Sequence, residues 1–350
     1  MFVKNCWYVA ALAAELGRTL LARTIAGDPV VMYRTEAGLA VAMLDRCPHR
    51  LAPLSLGKLV GDSLECGYHG VSFAPDGRCV RLPGEERIPP QFCSKTFPLE
   101  ERWGFVWIWL GDPALRDDSM LPQDFRFQDE PGWCPMSDHI HVSAHYELLV
   151  DNLLDLSHEA FLHMNTIGNT AVAETPARTT LDGDRVEVLR EMPDCTPPKL
   201  FVKAAGFDSN IDRYQRLSYK SPCYVIIEVR ATPTGRPDDP TRLIWWVLNA
   251  LTPETESTTN YFWGLPRQFR QDDTALTDML RAGITRTFEE DRQMLEAQQR
   301  VVVQVPLDSR TVYTRADQAP GRARSMVAAM LAREARAAAQ ATEKRSDEAA

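Results

Sequence analysis

Four residues constrain this chain more than any others. Cys47-Pro48-His49 sets a thiol two positions before an imidazole, and Cys66-Gly67-Tyr68-His69 sets one three positions before. Sixteen residues separate the two groups. Both groups lie where short apolar runs give way to turn-forming residues, so loops present them. Zinc fingers pair Cys with Cys and His with His along the sequence. Here each loop offers one thiolate and one imidazole. The fold must therefore bring two mixed loops together around one metal centre.

A Rieske [2Fe–2S] cluster takes two thiolates on one iron and two imidazoles on the other. One Cys and one His from each loop meet that need. Gly67 and Gly70 would let the second loop turn tightly. The other cysteines, Cys6, Cys79, Cys93, Cys134, Cys195 and Cys223, read as isolated buried thiols. Eight Cys in 350 residues is too few for a disulfide scaffold. Lys4, Glu15 and Arg18 interrupt the first twenty residues, which argues against a secretory signal and for a reducing, cytoplasmic setting. No apolar run approaches the ~20 residues of a membrane helix. Net charge is −9, from 39 Lys+Arg against 48 Asp+Glu, so a nucleic-acid partner is disfavoured.

Residues 1–115 read as mostly β. Pro29 to Arg34 and Leu39 to Asp45 flank a turn at Glu36-Ala37-Gly38. Val71 to Ala74 and Arg78 to Leu82 flank Pro75-Asp76-Gly77, and Trp103 to Leu110 reads as a buried strand. The aperiodic stretch from Ala114 to Pro135 reads as a connection to a second domain, residues 116–350. There Tyr146 to Leu162 has helical character. Tyr224 to Ala231, Leu243 to Leu251 and Ser257 to Leu265 read as strands, the last two split by a turn at Thr252-Pro253-Glu254. Asp272 to Gln299 reads as a long helix with two acids in its first turn, and Ser325 to Ala341 as an Arg- and Ala-rich helix.

A second chemical constellation lies on the first of those helices. Asp151, Asp155 and His158 fall at i, i+4 and i+7, a single stripe flanked by Leu148, Leu149, Leu153 and Leu156. Buried carboxylates need partners or a metal, and Asp155 can reach His158 three residues on. His163 lies five residues beyond His158, about 140° around an ideal helix. Both can grip one ion only if the helix ends or bulges between them. A dioxygen-activating mononuclear iron uses two His and one carboxylate on one octahedral face. The long late helix offers Glu289, Glu290, Asp291 and Glu296. Ile284, Phe288 and Leu295 define its apolar stripe, Asp291 falls on it, and Glu290 falls well off it as part of a charged face. His139 and His141 alternate along an expected strand and read as ordinary histidines.

With these residues in place, the chain resembles the oxygenase component of Rieske non-haem iron aromatic oxygenases. It is most similar to the vanillate O-demethylase and toluenesulfonate methyl-monooxygenase branch. The resemblance runs over nearly the whole chain. It includes Lys4-Asn5-Cys6-Trp7-Tyr8-Val9-Ala10, Cys47-Pro48-His49-Arg50, Cys66-Gly67-Tyr68-His69-Gly70, Asp151-Asn152-Leu153-Leu154-Asp155, Thr252-Pro253-Glu254-Thr255 and Glu290-Asp291. It implies an α+β chain, an all-β Rieske domain followed by a catalytic domain of antiparallel sheet plus helices. It implies Cys47, His49, Cys66 and His69 as cluster ligands, and His158, His163 and Asp291 as ligands of a mononuclear Fe(II). Asp155 corresponds to a bridging acid that links an iron His to a cluster His of a neighbouring subunit in a homotrimer, and the counterpart of Asn152 lies near the iron.

The resemblance also implies O2 as co-substrate and a separate flavin/ferredoxin-type reductase that draws on NAD(P)H. The expected reaction inserts one oxygen into a C–H bond of a small arene, foremost O-demethylation of a methoxybenzoate such as vanillate with release of formaldehyde. Methyl hydroxylation of an aryl sulfonate or carboxylate is the alternative, and Ile88-Pro89-Pro90 with Phe288 to Arg292 lean that way. Trp245, Trp263 and Ile167 are candidate pocket residues. A Rieske electron-transfer protein, which would carry the cluster alone, and a colourless zinc protein are the readings from other classes.

Overall fold

The computed structural model describes residues 1–305 and 312–348 and divides into two compact units. Unit 1 comprises Met1–Leu121 with Thr252–Thr255, and unit 2 the remainder. The division falls between Leu121 and Pro122, within the stretch expected to connect two domains. Among the described residues no helix is long and apolar enough to cross a membrane.

Unit 1 is built from ten strands: β1 Trp7–Leu12, β2 Leu21–Ile25, β3 Asp28–Arg34, β4 Ala40–Leu44, β5 Lys58–Val60, β6 Ser63–Glu65, β7 Ser72–Phe73, β8 Cys79–Arg81, β9 Leu99–Arg102 and β10 Phe105–Trp109. They form three small antiparallel sheets, ordered β1-β10-β9, β2-β3-β4 and β5-β6-β7-β8. Every side chain of β10 is buried, as its apolar run required. Its indoles find acceptors: Trp107 Nε1 donates to Arg102 O at 3.1 Å and Trp109 Nε1 to Asp112 O at 2.9 Å. Val31, Tyr33, Met43, Leu64 and Phe73 pack into one core with Cys47 and Cys66. That core anchors the two loops that carry Cys47 and Cys66.

In unit 2 the strands are β11 Ser137–Val142, β12 Arg178–Asp182, β13 Arg185–Cys195, β14 Ile211–Lys220, β15 Tyr224–Pro233, β16 Leu243–Thr255 and β17 Thr258–Gly264. They form one sheet ordered β11-β17-β16-β15-β14-β13-β12. The helices are α1 Tyr146–Leu154, α2 Glu159–Leu162, α3 Ala171–Glu174, α4 Lys199–Ala205, α5 Thr274–Val302 and α6 Gln318–Glu348. Helix α5 buries Leu276, Leu280, Ile284, Phe288, Asp291 and Leu295, the three-and-four spacing of a single face. Asp273 is its N-cap and accepts from Leu276 N at 2.8 Å, so the acids precede the first turn rather than fill it.

Several expectations need correction. Thr252-Pro253-Glu254 is not a turn: β16 runs through it to Thr255, and the chain reverses at Glu256-Ser257. The register with β15 ends at Ala250, so Pro253 has no β15 partner to deprive of a donor. Its carbonyl accepts from Ala26 N at 2.6 Å, Glu254 O accepts from Gly27 N at 3.1 Å, and Thr252 Oγ1 donates to Val9 O at 2.8 Å. The segment thus completes unit 1. Cys93 is exposed and Cys134 half-buried, while the other four non-ligand cysteines are buried.

The stripe of Asp151, Asp155 and His158 does not exist either, because α1 stops at Leu154. Asp151 instead pairs with Arg324 of α6, and its Oδ1 is buried without a partner. Burial pushes the Asp151 carboxyl up to about 6, and Arg324 offsets only part of that shift. An unfolded Asp titrates near pH ~3.9. Between these values the folded chain keeps a proton that the unfolded chain has shed. The stabilisation is complete below the lower value and is lost as pH rises through the upper one. Asp151→Asn should therefore unfold with the native protein at about pH 3 and above it in temperature at about pH 7.5. A pH-independent difference between the two melting temperatures would contradict this.

Candidate metal centres and catalytic cavity

The two loops of unit 1 are built alike. Leu51 N donates to Cys47 O at 2.8 Å and Gly70 N to Cys66 O at 3.0 Å, so each Cys opens a tight turn closed four residues later. The closing residue is left-handed in both, with φ of +59° at Leu51 and +67° at Gly70. A Cβ on Gly67 would lie 2.6 Å from Leu56 O, so glycine is required there. Both cysteines are buried and both histidines exposed. The rings of His49 and His69 are 4.6 Å apart, edge to face. Burial, with the adjacent Cys66 adding to it, pushes the Cys47 thiol above its ordinary value. Two sulfurs sharing a buried site need a metal to become thiolates. Sulfur inside and imidazole outside is the donor set of a Rieske cluster with its His edge turned to the surface.

In unit 2 the helix breaks twice, at Asp155 before His158 and again after Leu162, and the second break is the end between the two histidines that the sequence demanded. Asp155 leaves helical conformation at φ −125°, ψ 91°. Its Oδ1 accepts from Ser157 N at 3.0 Å and Ser157 Oγ at 2.5 Å, capping a short 3₁₀ turn over Leu156–His158. His158 Nδ1 lies 2.7 Å from the Asp155 backbone carbonyl, not from its carboxylate. His163 is the residue just past α2, at φ −111°, ψ 22°, which swings its ring toward α5. Gly168 N donates back to His163 O at 2.9 Å, and a Cβ on Gly168 would fall 2.0 Å from Glu159 O.

These turns converge His158, His163 and Asp291, with one ligand atom of each within 4.8 Å of the others. Asp291 Oδ1 is 3.1 Å from His163 Nε2 and 3.5 Å from His158 Nε2. Donors in cis positions around an octahedral first-row metal lie about 3 Å apart, and the two carboxylate–imidazole spacings are close to that. The partners of the other ring nitrogens fix the tautomers. A carbonyl accepts from Nδ1 of His158, and Glu290 Oε2 accepts from Nδ1 of His163 at 2.8 Å. Both Nε2 lone pairs then face the same carboxylate oxygen, an arrangement a shared cation stabilises. Burial alone would depress the His163 imidazole, but its bonds to Asp291 and Glu290 more than offset this and hold it above the ordinary value. Asn152 Nδ2 donates to Asp291 Oδ1 at 3.2 Å.

Glu290 is thus no mere member of a charged face. Periodicity places its Cβ off the buried stripe, yet its longer side chain reaches back to His163. His158, His163 and Asp291 border a mostly apolar cavity with about 550 Å³ of empty space, its open mouth included. Ile167 and Trp245 line it. Trp263 does not, and packs on Phe288 at 5.4 Å instead. The Nε2 of His139 meets Asn260 Oδ1 at 3.1 Å, away from this group.

Two family models cover most of the chain: the Rieske [2Fe–2S] domain over residues 6–98, and the vanillate O-demethylase oxygenase C-terminal domain over residues 142–333. The chain belongs to the Rieske non-haem iron oxygenases. A toluene-4-sulfonate monooxygenase system iron-sulfur subunit from Comamonas testosteroni is 38% identical, over 87% of this chain and 90% of that one. A vanillate O-demethylase oxygenase subunit from Pseudomonas sp. strain HR199 is 36% identical, over 87% and 88%. Dicamba monooxygenase bound to 3,6-dichlorosalicylic acid superposes with a TM-score of 0.90 at 33% identity, covering 95% of this chain and 99% of that one. This Rieske oxygenase is an oxidoreductase of the monooxygenase kind, and its cofactors are a Rieske cluster and a mononuclear non-haem iron. Its relatives are oxygenase components of multi-component systems.

Loss of the Glu290 acceptor should free the His163 ring. Glu290→Leu should weaken iron binding by roughly 10–100-fold, the usual cost of removing such a partner. Iron retained against a graded chelator reads this out, with the visible absorption of the cluster as the folding control. Native iron affinity in the variant would contradict the role.

Proposed function

We propose that Cys47, His49, Cys66 and His69 hold the cluster, that His158, His163 and Asp291 hold the iron, and that the enzyme removes a methyl group from a methoxybenzoate such as vanillate. The observation that carries this reading is a two-His, one-carboxylate face bordering an apolar cavity. When bound, the metals supply electron transfer and O2 activation, so that one oxygen enters the methyl C–H bond and the other leaves as water. The hydroxylated methoxyl then collapses to a phenol and formaldehyde.

The chain's own residues set the conditions for this. Asn152 fixes the Asp291 carboxylate, and Asp155 O and Glu290 fix the two imidazoles. Ile284 and Phe288 on one side and Val229 and Trp245 on the other exclude water from the arene. Asp155 Oδ1 is occupied by Ser157, whereas its Oδ2 has no partner among the described residues. That oxygen suits a relay to the partner subunit's His69 in a homotrimer, as the family resemblance implies. The exposed His49 and His69 edge suits delivery of single electrons by a separate flavin/ferredoxin-type reductase fed by NAD(P)H. Methyl hydroxylation of an aryl sulfonate is the second reading, favoured by the 38% identity to the toluene-4-sulfonate system.

One assay tests function and relay together. Methoxy- and methyl-arenes bearing carboxylate or sulfonate groups are offered with reductase, and formaldehyde and benzylic alcohols are measured. The native protein should release formaldehyde from a methoxybenzoate. Asp155→Asn keeps the cap to Ser157, so both metals should stay bound while turnover with NADH stops. Benzylic alcohols alone would select the second reading, and full turnover by the variant would refute the relay.

A further inference from the structure

The cavity wall contains a polar corner that the oxygen chemistry does not use. The inner face of β14 carries Ile211, Arg213, Gln215 and Leu217, all buried. Arg213 is 2% exposed and Gln215 1%, and both line the cavity that holds the iron-ligand set. On the β15 side their neighbours are apolar: Arg213 pairs with Ala231, Gln215 with Val229, and Val229 with Trp245. A guanidinium in such a wall needs its charge and its donors satisfied.

Glu159 supplies the charge. Arg213 Nη2 donates to Glu159 Oε2 at 2.7 Å, and Gln215 Nε2 donates to both Glu159 oxygens, at 2.9 and 3.2 Å. Arg213 Nη1 donates to Asn169 Oδ1 at 3.4 Å, and the guanidinium stands over the Phe201 ring at 5.0 Å. A carboxylate only accepts, so Gln215 must turn its amide nitrogen toward Glu159 and its carbonyl away. Two buried atoms are then left without a partner, the donor Arg213 Nε and the acceptor Gln215 Oε1. Buried polar atoms of this kind are rare in folded proteins and need an explanation. Arg190, opposite Gln215 in the register, adds a second guanidinium, and Glu159 and Asp155 are the acids acting on it. The corner therefore sets two cations against two anions.

We infer that Arg213 and Gln215 determine specificity by binding a neutral hydroxyl of the arene, Arg213 Nε–H donating to its oxygen and its O–H donating to Gln215 Oε1. This rests on the oxygenase reading above and names the substrate class within it: a hydroxyl-bearing methoxyarene. A hydroxyl both accepts and donates, which is what the unpartnered pair requires. A carboxylate or sulfonate only accepts. Seated here it would set its oxygens against Gln215 Oε1 and beside Glu159, with no net positive charge to hold it. Vanillate carries such a hydroxyl and toluene-4-sulfonate does not.

Binding calorimetry on the cluster-loaded, full-length protein without reductase tests this. The probes are 2- and 4-methoxyphenol, methoxybenzene, and the 2- and 4-methoxybenzoates and methoxybenzenesulfonates. At least one methoxyphenol should bind tenfold or more tightly than methoxybenzene, and neither anion series should exceed methoxybenzene. Gln215→Met should abolish the phenol preference and leave methoxybenzene within about twofold. If that variant does not fold, the order of affinities of the native protein decides alone. Tighter binding of an anion, equal binding of phenol and methoxybenzene, or a phenol preference that survives Gln215→Met would each overturn the inference. Failure of a bound phenol to turn over once reductase is added would count against the oxygenase reading and leave the affinity order standing.

Discussion

Asp291 is an acid buried in the middle of an apolar helix stripe, between Phe288 and Leu295, and much of the catalytic unit is arranged around the cost of keeping it there. A carboxylate out of water needs counter-charge and donors. Asn152 gives one donor, and two imidazoles turn their Nε2 atoms to the same oxygen. For those rings to arrive, α1 must break at Asp155 and α2 must stop at Leu162. Gly168 must then let the chain fold back over Glu159. The irregular backbone of this segment is what brings both rings to Asp291.

The cluster loops solve a related problem with less sequence. A turn closed on a Cys carbonyl directs the thiol into the core of unit 1 and the imidazole out to the surface, and the same device is used twice. The division puts both sulfurs in a dry environment and leaves both imidazoles at the surface. The oriented imidazoles of unit 2 use the same economy. Each has one nitrogen committed to an acceptor within the chain, and the other turned to the Asp291 carboxylate.

The parts that could be read from the sequence are those whose logic is local. Both cluster loops span only a few residues, so spacing alone exposes them. The late helix is long and strictly periodic, so Asp291 stands out as an acid where Ile284, Phe288 and Leu295 require an apolar residue. Three things were hidden. Periodicity reports where a Cβ points and not how far a side chain reaches, which concealed Glu290. Strands β13 and β14 went unread because Arg190, Arg213 and Gln215 occupy inner positions where alternation calls for apolar residues, and β12 because its side chains are mostly exposed. The histidines called for a helix end between His158 and His163, which α2 supplies at Leu162, but the earlier break after Leu154 was not foreseen. Its agent, the Asp155 carboxylate capping Ser157, is a turn chemistry that the helical pattern masks.

Two separate iron centres in one polypeptide are the core of this account. Metal analysis of reconstituted native protein beside His163→Ala tests it most directly. The native chain should hold three irons, two in the cluster and one mononuclear. The variant should hold two and keep the red-brown absorption of the cluster unchanged. Two irons in both proteins would contradict the account, since the His158, His163 and Asp291 site would then bind none.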